Sequence, residues 1–275
     1  MIDLSELPNP AEIMDRIDEF TKTSAKDEMR THLGASVIGE KCTRKLWLEF
    51  RHCGKEQFNP RMLRLFSRGD REEEQFDSLL QGAGFTVYSP TPETVEEFRF
   101  SDYQGHYGGT CDGIVVWNQH TAVLEKKTYA SQRFKELKRR GVRENDPKYW
   151  SQMQTYMGYL ELEIALFCAV CKDDDQLYFE WVPFDQVEFD ICTEKAHTVI
   201  TSEVPPPKLS DNPESYACKY CHFNQICHEN KEPLKNCRSC RFAQPAANGV
   251  WKCSRRTFGS VCPDWESVTG STGGN

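Results

Sequence analysis

Two short runs constrain this chain more than anything else in it. They are Gly108-Gly109-Thr110-Cys111-Asp112-Gly113-Ile114-Val115-Val116-Trp117 and, a few residues on, Ala122-Val123-Leu124-Glu125-Lys126-Lys127-Thr128. Both are rich in apolar and β-branched residues, which predicts two strands joined by the polar turn Asn118-Gln119-His120-Thr121. Side chains alternate along a strand, so Glu125 and Lys127 share one face and Lys126 takes the other. Asp112 and Glu125 then offer hard oxygen ligands for one Mg²⁺ or Mn²⁺ ion, with the Lys126 carbonyl as a further ligand. A lysine beside such an ion can position an attacking water or stabilise charge on a phosphate, the chemistry of metal-assisted phosphodiester cleavage. The bland alternative is an Asp-Gly turn and a solvated Glu-Lys-Lys face. Flanking hydrophobicity argues against it.

Two predicted helices fit the same site. Residues 62 to 80 carry apolar side chains at helical spacing, and Glu73 within them can turn a third carboxylate toward the metal. Tyr149 to Leu160 also reads as helix, with Gln152 and Tyr156 an i, i+4 pair on one face. A charged helix face and simple packing are the competing readings.

Taken in order, Gly69-x-x-x-Glu73, Gly109-x-x-Asp112-Gly113, Glu125-x-Lys127 and Gln152-x-x-x-Tyr156 resemble the RecB-like branch of the PD-(D/E)XK nucleases, over roughly residues 34 to 230. The resemblance implies an α/β fold of the restriction-endonuclease type, a mixed sheet flanked by helices. It implies metal held by Asp112 and Glu125, a catalytic Lys127, and Gln152 and Tyr156 supporting the site and contacting DNA. At the Glu73 position many relatives carry His, while those resembling phage recombination exonucleases carry Glu.

Thirteen cysteines are present, seven of them after residue 217. Cys218-x-x-Cys221 with Cys227 is one ligand short of a tetrahedral set, and Cys42 is a candidate fourth; Cys53 competes with it, and Cys42 also suits a buried apolar position. One early Cys and a late Cys-x-x-Cys-x₅-Cys set resemble the iron-sulfur branch of the family, which includes CRISPR-associated RecB-like exonucleases and AddB-type subunits. In those relatives four thiolates hold a 4Fe-4S cluster; carried over, the ligands are Cys42, Cys218, Cys221 and Cys227. Zinc suits the same thiolates. Cys237-x-x-Cys240, Cys253 and Cys262 can close a second site alone and resemble a zinc ribbon, with Gly249 and Trp251 suiting a hairpin before Cys253. Cys53, Cys111, Cys168, Cys171 and Cys192 read as core, the two side chains of Cys168-x-x-Cys171 pointing to opposite faces of a strand.

The expected organisation is a helical arm over residues 1–33, the nuclease domain with its iron-sulfur clip over 34–235, a zinc-ribbon-like module over 236–268 and a disordered tail over 269–275. Strands are expected near residues 85–88, 95–100, 164–170 and 177–183, a helix over 184–199, and a stiff linker at Pro205-Pro206-Pro207. Residues 129 to 147 are polar and basic, suited to lining a DNA channel or forming a mobile flap. The first eight residues are acidic and lack the apolar core of a signal peptide, so a cytoplasmic location is expected, the host cytoplasm for a phage-encoded protein, and metal binding rather than disulfides. A net charge of −8 excludes a protein that coats nucleic acid by bulk attraction, though basic residues cluster at 133–143 and 235–256.

The expected function is a metal-dependent deoxyribonuclease, by resemblance an exonuclease on single-stranded DNA ends, in recombination, repair or CRISPR adaptation. The alternatives are a DNA-binding scaffold of a recombination or spacer-acquisition complex and a zinc-binding regulator.

Overall fold

The computed structural model describes residues 7–25, 29–259 and 262–270. Asn9 opens the first helix among the described residues with a reciprocal cap: its side chain accepts from the Ala11 and Glu12 main-chain N–H groups, and the Glu12 carboxylate accepts from Asn9 N. Helix α1 (Pro10–Ser24) is followed by strand β1 (Leu33–Gly34) and helices α2 (Ala35–Ile38), α3 (Thr43–Phe50) and α4 (Pro60–Gly82). Strands β2 (Thr86–Tyr88), β3 (Arg99–Asp102), β4 (Tyr107–Thr110), β5 (Gly113–Trp117) and β6 (His120–Tyr129) come next. Helices α5 (Ser131–Asn145) and α6 (Pro147–Leu160) lead to strands β7 (Ile164–Cys171) and β8 (Leu177–Pro183), then helix α7 (Gln186–Thr201). Short helices α8 (Tyr216–Lys219) and α9 (Asn224–His228) and the hairpin β9 (Ala243–Pro245) and β10 (Trp251–Cys253) close the chain.

The main sheet has the order β2-β5-β6-β7-β8. Every neighbouring pair is antiparallel except β6 and β7, which run parallel. Parallel neighbours need a crossover, and α5 with α6 supplies it. One face of the sheet packs Val115, Leu124 and Cys168 against Phe76 and Leu80 of α4. The other packs Val123, Phe167 and Cys171 against α6, α7 and α3. Cys168 and Cys171 therefore do face opposite ways. A second, three-stranded sheet has the order β1-β4-β3.

Four expectations about elements need correction. The hairpin turn is only Asn118-Gln119: Trp117 pairs with His120 and Val116 with Thr121, and Asn118 adopts the left-handed conformation (φ 54°) that a two-residue turn requires. Val95–Phe98 is a tight 3₁₀ turn, and extended chain begins only at Arg99; Thr91 and Thr94 exchange side-chain to main-chain bonds that hold the chain curled there. Gly108, Gly109 and Thr110 belong to β4 and pair with β3, so Asp112 lies in the bend between two sheets rather than within a strand. Residues 131–145 form helix α5 rather than a mobile flap, because Phe134, Leu137 and Val142 bury one side of it; its basic side stays exposed, as lining a channel requires.

The cysteine-rich segment is not loosely attached. Ala243, Trp251 and Val268 belong to the same buried cluster as Phe50 and Tyr107. Arg51 reaches across to the carbonyls of Ala243 (2.8 Å) and Cys240 (3.1 Å), and Arg238 reaches back to Thr31 O (3.0 Å) and Phe50 O. Helix α1, in contrast, buries none of its residues; Ile13, Met14, Ile17 and Phe20 stay exposed, and an Asp18–Arg64 ion pair (2.6 Å) joins it to α4. The expected disordered tail falls largely on residues 271–275, outside the described residues, as do residues 1–6, where the absence of a signal peptide was expected. Among the described residues no helix is long and apolar enough to cross a membrane.

Candidate metal and catalytic site

Strand β6 delivers the alternation that the sequence implies. Glu125 is fully buried and Lys127 half-buried on the α6 side, while Lys126 points to α4, where its ammonium meets Asp77 Oδ1 (2.8 Å) and the Glu73 carbonyl (3.3 Å). Ser89 Oγ in turn donates to Asp77 (2.6 Å). The Glu-Lys-Lys run is thus not a solvated face.

Pairing of β5 with β6 ends at Gly113 opposite Leu124, because the chain leaves for β4 at that point. The Lys126 N–H, left without a strand partner, donates to Asp112 Oδ2 (2.9 Å), which fixes the Asp112 carboxylate beside Lys127. Gly113 lets β2 approach β5 at this bend: a Cβ there would lie 2.8 Å from Tyr88 O.

The Lys127 ammonium lies 3.2 Å from Asp112 Oδ2, 2.5 Å from Glu125 Oε1 and 2.9 Å from the Lys126 carbonyl. These are the three oxygens that the sequence assigns to a divalent ion, and here they converge on one cationic group. The Glu125 contact is an ion pair without aligned hydrogen-bond geometry. Glu125 Oε2 accepts from Gln152 Nε2 (3.1 Å), and Tyr156 donates its hydroxyl to Thr110 O (2.9 Å), holding β4. Gly109 leaves room for that phenol, since a Cβ there would sit 2.9 Å from Tyr156 Oη.

Charge in the cluster is unbalanced. Burial pushes the Glu125 carboxyl up to about 8, and the neighbouring Asp112 adds to it. Glu73, on α4, is pushed up to about 7, again by burial first and Asp112 second. Burial disfavours the Lys127 charge, but Asp112 and Glu125 outweigh it and raise its pKa well above the usual value. Glu73, Asp112 and Glu125 bring three carboxyl groups toward one ammonium, and their hard oxygens are the donor chemistry that suits Mg²⁺ or Mn²⁺, whose binding would drive off the protons that burial retains.

Two participants were missed by sequence reasoning. Tyr149 places its ring 5.3 Å from the Lys127 ammonium; it shares a face of α6 with Gln152 and Tyr156, at spacings of three and seven, and that was the signal. Asp77, four residues after Glu73, is the second. A cleft of about 860 Å³ lies nearby, bordered by Arg30, His32, Lys55, Phe58 and Phe66. Phe58 and Phe66 are exposed and meet edge to face at 5.0 Å. Phe66 and Glu73 are two turns apart on one face of α4, so cleft and acidic cluster are separated by about 10 Å along the helix.

The first cysteine group shares a neighbourhood. Cys42 caps α3, its sulfur accepting from Lys45 N (3.4 Å). The Cys221 thiol is pushed up by burial and then by Cys42 and Cys218, and that of Cys227 by burial and then, against the opposing pull of Arg44, by Cys221 and Cys42. The rival Cys53 is fully buried, its thiol pushed up to about 12 by burial. In the second group, Cys237 accepts from Gly259 N (3.3 Å), Cys253 pairs with Ala243 across the β9–β10 hairpin, and Cys253 and Cys262 both act on Arg256. Among the described residues no group of three or more His, Cys, Asp or Glu side chains is arranged to hold a metal ion as it stands.

No family model matches the sequence, and no curated protein matches it. Among solved structures the chain is similar to an alkaline exonuclease (LHK-Exo) from Laribacter hongkongensis, at 18% identity and a TM-score of 0.47 over 62% of this chain and 87% of that one. It is similar to SSO0001 at 20% identity and a TM-score of 0.44, over 78% and 93% of the two chains. A phage related exonuclease from Haemophilus somnus 129PT gives 11% identity and a TM-score of 0.40, over 66% and 94%.

Proposed function

We propose that this protein is a metal-dependent deoxyribonuclease of the PD-(D/E)XK type, an exonuclease acting on single-stranded DNA ends in recombination, repair or CRISPR adaptation. One observation carries the reading: Asp112 Oδ2, Glu125 Oε1 and the Lys126 carbonyl, the oxygens expected to hold a metal, converge within reach of one another on the Lys127 ammonium. A bound Mg²⁺ or Mn²⁺ supplies Lewis-acid polarisation of a phosphate and lowers the pKa of a water.

The chain's own residues have distinct tasks. Asp112 and Glu125, with Glu73 beside them, hold the ion. Lys127 orients the water and stabilises negative charge on the phosphate. Gln152 fixes the Glu125 carboxylate, Tyr156 anchors β4, and Tyr149 confines Lys127. Exposed Arg133, Arg139 and Arg143 on α5 contact the phosphate backbone, and the Phe58–Phe66 pair offers bases a stacking surface. Cys42, Cys218, Cys221 and Cys227 fit a structural 4Fe-4S cluster by the company they keep, and Cys237, Cys240, Cys253 and Cys262 fit zinc by their thiolate chemistry.

The deciding assay uses end-labelled single-stranded DNA with Mn²⁺, comparing wild type with Asp112→Ala and Lys127→Ala. Wild type alone should degrade it from an end. Equal cleavage by all three proteins dismisses the assignment. Colourless protein containing only zinc after anaerobic purification removes the iron-sulfur cluster and leaves the catalytic reading intact.

A further inference from the structure

A second cavity, of about 290 Å³, opens where the cysteine-rich segment meets the body, and Arg51, Tyr103, His106, Ile200, Arg241 and Gln244 are among the residues lining it. None of the acidic-cluster residues borders it. Arg51 is 4% exposed. Its terminal nitrogens donate to the neutral carbonyls of Ala243 and Cys240, and among the described residues its Nε has no partner. Behind it Arg238, 6% exposed, is bonded to carbonyls alone and likewise has an unpartnered Nε. The two guanidiniums lie 5.1 and 4.5 Å from the Trp251 ring.

Carbonyl oxygens satisfy donors but cancel no charge. Two guanidiniums buried side by side with no ion-paired carboxylate among the described residues are costly unless an anion approaches them. Among the described residues the one carboxylate on the cavity rim, Glu203, is exposed and accepts from Gln244 (3.0 Å). Arg241, half-exposed at the same rim, pairs with the outlying Glu266 at 3.2 Å.

We propose that this cavity is a binding site for a small phosphate-type oxyanion, either inorganic phosphate or the phosphate of a mononucleotide. Arg51 Nε and the Arg241 guanidinium donate to it, His106 and Gln244 border it, and Tyr103 with Ile200 forms the apolar wall that an organic remainder would contact. The site is independent of the nuclease reading.

The test is calorimetric and thermal titration of the full chain carrying Asp112→Ala, without added divalent ions, so that the acidic cluster contributes no phosphate site. Inorganic phosphate should bind saturably at one site per chain and raise Tm, while chloride at matched ionic strength should not. Deoxynucleoside monophosphate binding tighter than phosphate identifies a nucleotide site, and equal binding identifies free phosphate. Arg51→Lys, which keeps the charge but loses the Nε donor, should weaken binding by about tenfold or more, the range for a hydrogen bond to a charged group. Thr201→Trp, on the exposed end of α7 at the cavity mouth, should block binding without disturbing the core; it decides the matter alone if Arg51→Lys does not fold. Absence of saturable binding, or wild-type binding by the folded variants, overturns the proposal. So does a protein indifferent to phosphate but destabilised by a zinc chelator, since the countercharge would then be thiolate-bound metal at Cys240.

Discussion

The acidic cluster on β6 and the arginine corner around Trp251 crowd together groups of opposite kind, carboxyls in one and guanidiniums in the other, and each shifts its neighbours accordingly. Around Asp112, burial and like charge push carboxyls up, Glu125 to about 8 and Glu73 to about 7. Around Trp251, burial pushes basic groups down: Arg238 to about 9, with Arg51 adding to it, and His52 to about 4, with Arg238 adding to it. The carboxyl oxygens suit a hard cation and the guanidiniums an anion. They differ in how they are built. The acidic cluster draws on a single strand and its neighbours, whereas the corner exists only because residues 188 and more positions apart meet, as Arg238 meets Phe50.

That difference predicts what each tolerates. Deleting residues 236–275 removes Trp251, Ala243 and Val268 from the core and leaves Arg51 buried without its two carbonyl partners. The expected outcome is loss of the folded state, seen as loss of a cooperative melt and of soluble yield. A truncated chain that melts as the whole one does would make the corner a mere contact between separate units.

Local changes in the acidic cluster should instead spare the fold and abolish chemistry. Lys127→Ala and Asp112→Ala are expected to lower the rate of DNA degradation by about 10²- to 10⁴-fold, the range for a positioned acid–base or charge-stabilising group. Their circular dichroism should be unchanged. Tyr149→Phe should have little effect on the rate and Tyr149→Ala a larger one, because the ring and not the hydroxyl faces the Lys127 ammonium.

What the sequence disclosed follows the same division. The period-two alternation of Glu125, Lys126 and Lys127 is a local property of extended chain, so it was legible. The helix carrying Gln152 and Tyr156 was legible for the same reason. Asp112 was recognised but misplaced, since nothing local says that β4 and β5 belong to different sheets. Asp77 and Tyr149 lie one helical turn from recognised residues but outside every motif spacing, so no motif marked them. Arg51 gave no signal and Arg238 counted only as one of the basic residues at 235–256: their burial depends on the hairpin β9–β10 folding back over α3, a contact without periodicity.

Cation binding offers a thermodynamic contrast of intermediate size. Mn²⁺ at a hundredfold excess over its Kd should stabilise wild type by about 2.7 kcal/mol. For a chain of this length that is a rise in Tm of a few degrees. Asp112→Asn combined with Glu125→Gln should melt at the same temperature with and without Mn²⁺. A metal response persisting in that double variant would relocate the cation to the cysteine groups and leave the acidic cluster without its proposed ion.

The smallest effect tests the corner through His52, whose Nε2 lies 2.8 Å from Arg30 O, the same carbonyl that takes Arg238. Burial, followed by the Arg238 charge, lowers the imidazole from its ordinary 6.5 to about 4. Between those values the unfolded chain takes up a proton that the folded chain refuses, so the contribution of His52 to stability is complete above pH 6.5 and is lost as pH falls toward 4. His52 sits at φ 51°, a conformation that asparagine accepts, which makes His52→Asn the suitable replacement. The variant should show a shallower loss of stability over pH 6.5 to 4 in urea melts and no change above pH 7. If the wild-type and variant slopes coincide, the positive potential assigned to the corner does not reach His52, and the symmetry drawn between the two regions fails at its basic end.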